Sequence, residues 1–283
     1  MKKYLYAGIA LLFITSYSPA ADLLLEYKFN ETGNYAANSG TLSDSLEFRS
    51  AATGSPLVDA HGADGSGVTG KAGDKAFDNS AATMGGNGYV GRTAGDVDAV
   101  DQLVSFTISA WYKTAGTTSL VGSNARFLLD YATSPTTNGW QLLGNNNATP
   151  GLFAYMDNVS VNMNALSGTV LAQTETWVFI AMTYDGTLTS NNLKLYGGTK
   201  TNGVTLLDTR TVNSGALEDN AEPFLVGNSS DRTRAFSGFI DNVRLHGTKT
   251  AGDNSGVLDL AALEKIRMKD INPPALKLMI LTQ

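Results

Sequence analysis

One carboxylate poses the first chemical question in this chain. In the run FIDNVRLH, residues 239–246, successive strand side chains face opposite ways. Phe239, Asp241, Val243 and Leu245 then share one face, and Ile240, Asn242, Arg244 and His246 the other. An ionised acid among apolar neighbours is costly unless a metal, a cation or backbone N–H groups satisfy it. The two histidines are His61, in a Gly-rich loop, and His246, at a strand end. Neither has a partner that the sequence identifies for general-base work, so both read as surface or packing residues. Sugar binding asks for less: a flat aromatic face, with amides and acids for the hydroxyls. Trp140, Tyr155 and Asp157 belong to or border strand runs, and Asn145 to Asn147 supply a polar loop between them. Trp140 fits a core as well as it fits a ligand platform.

The elements that must hold these groups are strands. LVSFTISAWYK, residues 103–113, alternates apolar with polar positions, the pattern of a sheet with one buried face. WVFIAMTYDG, residues 177–186, is apolar on both faces and closes on Asp-Gly, as a central strand running into a turn does. Further runs lie at 23–29, 125–131, 139–144, 151–156, 193–196 and 223–227, separated by Gly, Asn, Ser and Thr. Many short strands with such turns indicate a sandwich or jelly roll. One helix is predicted, capped by Asp259 and carrying Leu260, Leu263 and Ile266 through about Met268; Pro273 and Pro274 prevent its continuation. The organisation read from this is a leader at 1–20, one domain at 21–268 and a tail at 269–283.

Lys2 and Lys3 followed by an apolar run, with small Ser18 and Ala20 behind it, read as a secretory signal cleaved after Ala20. The run is shorter than the roughly 20 residues of a spanning helix. The expected location is secreted, periplasmic or cell-surface, with no membrane span in the mature chain. Cysteine is absent, so no disulfide stiffens this exported chain. Loss of the two leader lysines takes the formal net charge from −6 to −8. Without basic clusters, nucleic acid is excluded as a partner. The charged fraction of 16% and the 30 glycines fit a turn-rich β-protein.

Read in order, LLLEYKFNETG, GKAGDKAFDN, GGNGYV, FTISAWYKT, WVFIAMTYDGT, PFLVGN, FSGFIDNVRLH and VLDLAALEKI resemble the bacterial laminin-G-like family of the concanavalin A-like lectin and glucanase superfamily. The resemblance implies an all-β fold: a two-sheet antiparallel jelly-roll sandwich with one short C-terminal helix. Two departures from the family pattern stand out: Gly197-Gly198 where members carry an Asn-Gly or Asp-Gly hairpin, and an insertion at 247–256.

In sugar-binding relatives the acid of the last strand helps to hold a structural calcium with the first strand and the loop after it. For this chain the resemblance implies Asp241, Asn38 and Asn30 or Glu26, oxygen ligands that suit calcium. The alternative is an Asp241 that accepts backbone N–H bonds or pairs with a cation.

The fold itself hosts lectins, glycosidases, lyases and adhesion modules. Retaining glycosidases of this kind place acids at alternate positions of one strand, so that two carboxylates flank the sugar about 5 Å apart. Here Glu26 and Glu31 are oddly spaced, and the acidic run at 218–222 reads as a solvated loop. The expected function is therefore a non-catalytic module that binds a glycan or another extracellular surface. The alternatives are a polysaccharide lyase or hydrolase, or an adhesion module with a protein partner.

Overall fold

The structure is a computed structural model describing residues 22–54, 57–83, 88–116, 126–132, 138–144, 152–157, 159–163, 171 and 173–273. The leader, Asn145 and most of the C-terminal tail lie outside the described residues. Among the described residues one antiparallel sheet has seven strands: β1 (Leu23–Tyr27), β4 (Phe77–Asp78), β6 (Ser105–Thr114), β11 (Val178–Asp185), β12 (Leu193–Thr199), β13 (Thr205–Arg210) and β15 (Gly238–Thr248). Their order is β1-β15-β6-β11-β12-β13, with β4 paired to β15.

The second sheet has eight strands among the described residues: β2 (Tyr35–Ala36), β3 (Leu46–Ser50), β5 (Tyr89–Asp96), β7 (Phe127–Ala132), β8 (Gly139–Gly144), β9 (Leu152–Met156), β10 (Val159–Met163) and β14 (Pro223–Val226). They run β10-β9-β8-β7-β14-β5-β3-β2. The result is an all-β jelly-roll sandwich. Among the described residues no helix is long and apolar enough to cross a membrane.

The core between the sheets is filled by alternate residues of each strand, among them Phe106, Ile108 and Tyr112 of β6 and Ile180, Met182 and Tyr184 of β11. The opposite face of β6 is buried as well, against the one-sided burial its alternation predicts. The segment after β15 covers it and satisfies two of its hydroxyls. Ser105 Oγ donates to the Asp253 carbonyl (2.9 Å), and Thr107 Oγ1 donates to the Gly256 carbonyl (2.7 Å) while accepting the Leu258 N–H (2.9 Å). The insertion at 247–256 is thus a lid on the seven-stranded sheet.

Above the same face lies helix α1 (Leu260–Ile271), three residues longer than the sequence predicts. Asp259 caps it as expected, accepting the Ala262 N–H at 2.8 Å. Leu263 packs it onto Trp111 and Phe179 in a second apolar cluster, whereas Leu260 is exposed. The buried helix positions beyond Leu263 are Arg267 and Asp270, both polar. Gly197 and Gly198 form no turn but continue β12. A Cβ at 197 would come within 2.7 Å of the Leu207 side chain.

Strand β15 breaks the alternation read from its sequence. Asn242 adopts φ +50°, and the pairing with β6 shifts register between Asp241 and Arg244. This is a β-bulge, which re-aims the side chains that follow. Ile240, Val243 and Leu245 therefore face the inter-sheet core, while Asp241 and Arg244 point to the helix side.

Candidate functional site

Asp241, fully buried, is satisfied by backbone. Oδ2 accepts the Val68 N–H at 2.9 Å and Oδ1 accepts its neighbour's N–H, from Asn242, at 2.6 Å. Burial pushes its carboxyl well above the usual range, and the charges of Asp74 and Asp270 add to the effect.

The oxygens that the resemblance assigns to calcium beside Asp241 also have protein partners. Glu26 Oε1 accepts from Arg244 Nε at 2.8 Å, and Glu26 Oε2 meets Ser39 Oγ and Lys28 Nζ. Burial opposes ionisation of Glu26, but Ser39 and Arg244 hold its carboxyl down to about 2. Asn38 Oδ1 accepts the N–H groups of Glu26 and Gly40, both at 2.8 Å, and Asn30 Oδ1 accepts that of Lys75 at 2.8 Å. These four residues act as clamps: Asp241 and Asn30 hold the 62–75 loop, and Asn38 holds the first strand. Each of these oxygen sets already accepts hydrogen bonds from the protein.

The expected sugar platform also needs correction. Trp140 is wholly buried in the inter-sheet core, with its ring centroid 5.5 Å from Phe106 and 6.0 Å from Phe224. It offers no face to a ligand. Tyr155 is half-buried on the outer face of the eight-stranded sheet, 5.0 Å from the Phe153 ring. Asp157 accepts the Gly139 N–H at 2.8 Å and the Glu218 N–H at 2.9 Å.

The two segments that Asp157 holds lead directly to a cavity. At one end of the sandwich the close of β5, the starts of β8 and β14 and the segment after β15 surround a cavity of about 610 Å³. Its wall includes Asp96, Asp98, Asp101, Asn138, Asp219 and Lys249. Val97 and Val100 insert into the core, while Asp98 between them and Asp96 and Asp101 on either side line the cavity. Ligand oxygens of Asp96, Asp98 and Asp101 lie within 4.8 Å of one another. An oxygen-only set of this kind can hold a hard metal ion.

Tyr131 Oη lies 2.9 Å from Asp96 Oδ1 and 2.5 Å from Asp101 Oδ1. One hydroxyl proton serves one oxygen at a time, so Asp101 has reason to keep a proton of its own. Burial pushes its carboxyl up to about 6; the Tyr131 hydrogen bond opposes this and Asp219 reinforces it. Asn220 Nδ2 donates to Asp101 at 3.3 Å, and Lys249 Nζ donates to the Asp98 carbonyl at 2.7 Å. Sequence reasoning missed this site, although Asp-x-Asp-x-x-Asp at 96–101 is a visible signal.

On the outer face of the eight-stranded sheet, Tyr155, Gln141 and Asp130 stand in register on neighbouring strands. Asp130 is 1% exposed and accepts from Gln141 Nε2 at 2.9 Å. Burial pushes its carboxyl from 3.8 to about 8; Gln141 opposes the rise and the Glu222 charge adds to it. With the folded value raised, the folded state keeps a proton that the unfolded chain loses above about pH 4. Stability should therefore fall as pH rises from about 4 toward 8, by at most about 1.4 kcal/mol per pH unit from this group. Urea melts at pH 5 and pH 8 should show a smaller loss for Asp130→Asn than for the wild type; equal losses would contradict the assignment.

Residues 63–252 match the family model of the concanavalin A-like lectin/glucanases superfamily. No curated protein matches in sequence. Among solved structures, domain 4 of AbnA, an extracellular arabinanase from Geobacillus stearothermophilus, in complex with arabinotriose, superposes with a TM-score of 0.59 at 16% identity, over 88% of this chain and 99% of that one. An arabinofuranosidase complexed with arabinofuranosyl-α-1,2-xylobiose gives 0.58 at 10% identity, over 90% of this chain and 60% of that one. The binding domain of Paraclostridial Mosquitocidal Protein 1 gives 0.55 at 13% identity, over 87% of this chain and 52% of that one. Such low identities speak to the fold alone; the chain spans about half to three fifths of the last two.

Proposed function

The chain belongs to the concanavalin A-like lectin/glucanase superfamily, and on that premise we propose that it is a secreted glycan-binding module without catalytic turnover. Its ligand site is the acidic end cavity. The observation that carries this reading is the wall of that cavity, a convergence of carboxylates and amides at the end of a rigid sandwich. Such groups take sugar hydroxyls, and Asp96, Asp98 and Asp101 bind a divalent cation that can share its coordination with them. The arabinotriose and arabinofuranosyl-xylobiose seen with two proteins of this fold support a saccharide as the ligand class. Export is consistent with the leader-like N-terminus.

A glycan array followed by titration calorimetry tests the reading. Asp98→Asn/Asp101→Asn should weaken an identified oligosaccharide at least tenfold, which is about 1.4 kcal/mol, with the circular dichroism spectrum unchanged. Calcium at about 100 times its dissociation constant should stabilise the wild type by about 2.7 kcal/mol, a rise of roughly 5–10 °C in Tm, and the double variant should lose that response. An array without hits, or a double variant that binds as the wild type does, would sink the proposal.

One observation favours hydrolysis instead: Asp101, raised to about 6, lies beside two other acids, which is how an acid and its partner are set apart. New reducing ends from a polysaccharide, abolished by Asp101→Asn, would decide for the enzyme.

A further inference from the structure

The outer face of the eight-stranded sheet carries a second cavity, of about 110 Å³, between β3, β5, β14 and the loop after β14. Arg49, Arg92 and Arg232 converge on it, and Glu222, Val90, Leu225 and Ser229 are among the other residues of its wall. We propose that this cavity is a subsite for the carboxylate of an acid sugar. The proposal rests on the glycan-binding reading and names a substrate class for it.

The three arginines arrive from separate parts of the chain. Phe48 and Gly91 face the core, where a Cβ on Gly91 would meet Phe48 and Val226, so Arg49 and Arg92 stand on the outer side of β3 and β5. Arg232 comes from the loop at 228–234 and is held at φ +63°, a strained backbone for a residue with a side chain. The loop is braced to keep it there: Asn228 Oδ1 accepts the N–H groups of Ser229 (2.9 Å) and Arg234 (3.1 Å), and its amide donates to the Arg232 carbonyl at 3.4 Å.

Opposite lies Gly54, at φ +69°, where an added Cβ would fall 1.3 Å from Arg232 Nη1. The guanidinium occupies room that only glycine leaves. Arg49 Nη1 reaches the Gly54 carbonyl, at 3.5 Å, so two cations meet at this residue.

Bringing guanidinium groups together is unfavourable unless anions separate them. Arg49 has Glu47 at 2.6 Å. Among the described residues, Arg92 and Arg232 have no carboxylate within salt-bridge distance, and Arg92 donates only through Nε, to the Thr93 carbonyl at 3.3 Å. The three guanidinium groups gather around one lining carboxylate, Glu222, in a chain whose net charge is −6, and a ligand carboxylate would add a counter-charge at the point where they meet. The planar guanidinium fork matches a carboxylate in two parallel hydrogen bonds. The cavity is a few water volumes in size, enough for an acid group and the carbons that carry it. Val90 and Leu225 give those carbons an apolar floor, and the Glu222 carboxylate can accept from neighbouring hydroxyls.

Titration calorimetry with tri-galacturonate, arabinotriose and inorganic sulfate tests the subsite. The acid trimer should bind the wild type more weakly as salt rises. Arg92→Gln and Arg232→Gln should each weaken it at least tenfold, and Arg92→Lys should not restore it, since an ammonium lacks the fork. Arabinotriose affinity and Tm should stay as in the wild type. Binding of arabinotriose alone, or of tri-galacturonate with unchanged affinity in both Gln variants, overturns the subsite and leaves the end cavity standing. Sulfate competing as well as tri-galacturonate overturns the carboxylate assignment. If neither sugar binds, the subsite falls, and the glycan reading falls with it only where the array shows no hit.

Discussion

Replacing Arg244 by Met is expected to lower the melting temperature of this protein by roughly 6–20 °C. Arg244 is 4% exposed and joins three elements. Its Nε donates to Glu26 of β1, its two terminal nitrogens donate to Asp270 of α1 at 2.8 and 2.7 Å, and Trp111 Nε1 of β6 reaches the same Asp270 oxygen at 2.9 Å. Removing one partner of a buried ion pair leaves an uncompensated charge and costs about 3–5 kcal/mol. In a domain of this size each kcal/mol moves Tm by about 2–4 °C.

The pH dependence separates this cause from simple loss of packing. Glu26 is held at about 2, below its unfolded value. Its contribution is therefore complete above that unfolded value, near pH 4.5, and is lost as pH falls toward 2. The gap between wild type and Arg244→Met should be widest near pH 7 and shrink below pH 4. A gap that stays constant across that range would mean that Arg244 acts through its carbon stem and not through its charge.

The same network shows what the sequence could reveal and what it could not. The strand-forming runs at β6 and β11 and the Asp259 cap are local signals, and local signals survive into the fold. The partners of Glu26 are not local, since Arg244 lies 218 residues away. Nor could alternation assign Asp241 to its face, because one residue, Asn242, leaves the extended conformation and every side chain beyond it changes sides.

The end cavity escaped for a related reason. Its acids sit at the end of β5 and in the turn and loop that follow, where no period exists to read, and Asp219, from an acidic run that looks merely solvated, meets Asp101 from a segment that Asp157 anchors through Glu218. Arg232 depends likewise on a glycine far away in sequence.

Trp140 is where the sequence permitted two opposite readings, and its replacement decides between them. The run GWQLLG alternates in a way that lets either face be the core, and in the structure both faces of β8 are buried. Trp140→Ala should cost about 3–5 kcal/mol, the range for deleting a large buried aromatic side chain, and so lower Tm by roughly 6–20 °C. Trp140→Phe should cost less than half as much. Among the described residues the indole N–H has no hydrogen-bond partner, so removing it relieves an unmet polar group while most of the ring contact with Phe106 and Phe224 remains. The Trp140 ring also lies 6.5 Å from the ring of Tyr131, whose hydroxyl reaches Asp96 and Asp101. The Ala variant should therefore lose part of the calcium response along with its stability, and the Phe variant should keep it. If Trp140→Ala melted within about 2 °C of the wild type yet no longer bound a saccharide, Trp140 would be a ligand platform after all, and the burial of its ring in the core would be wrong.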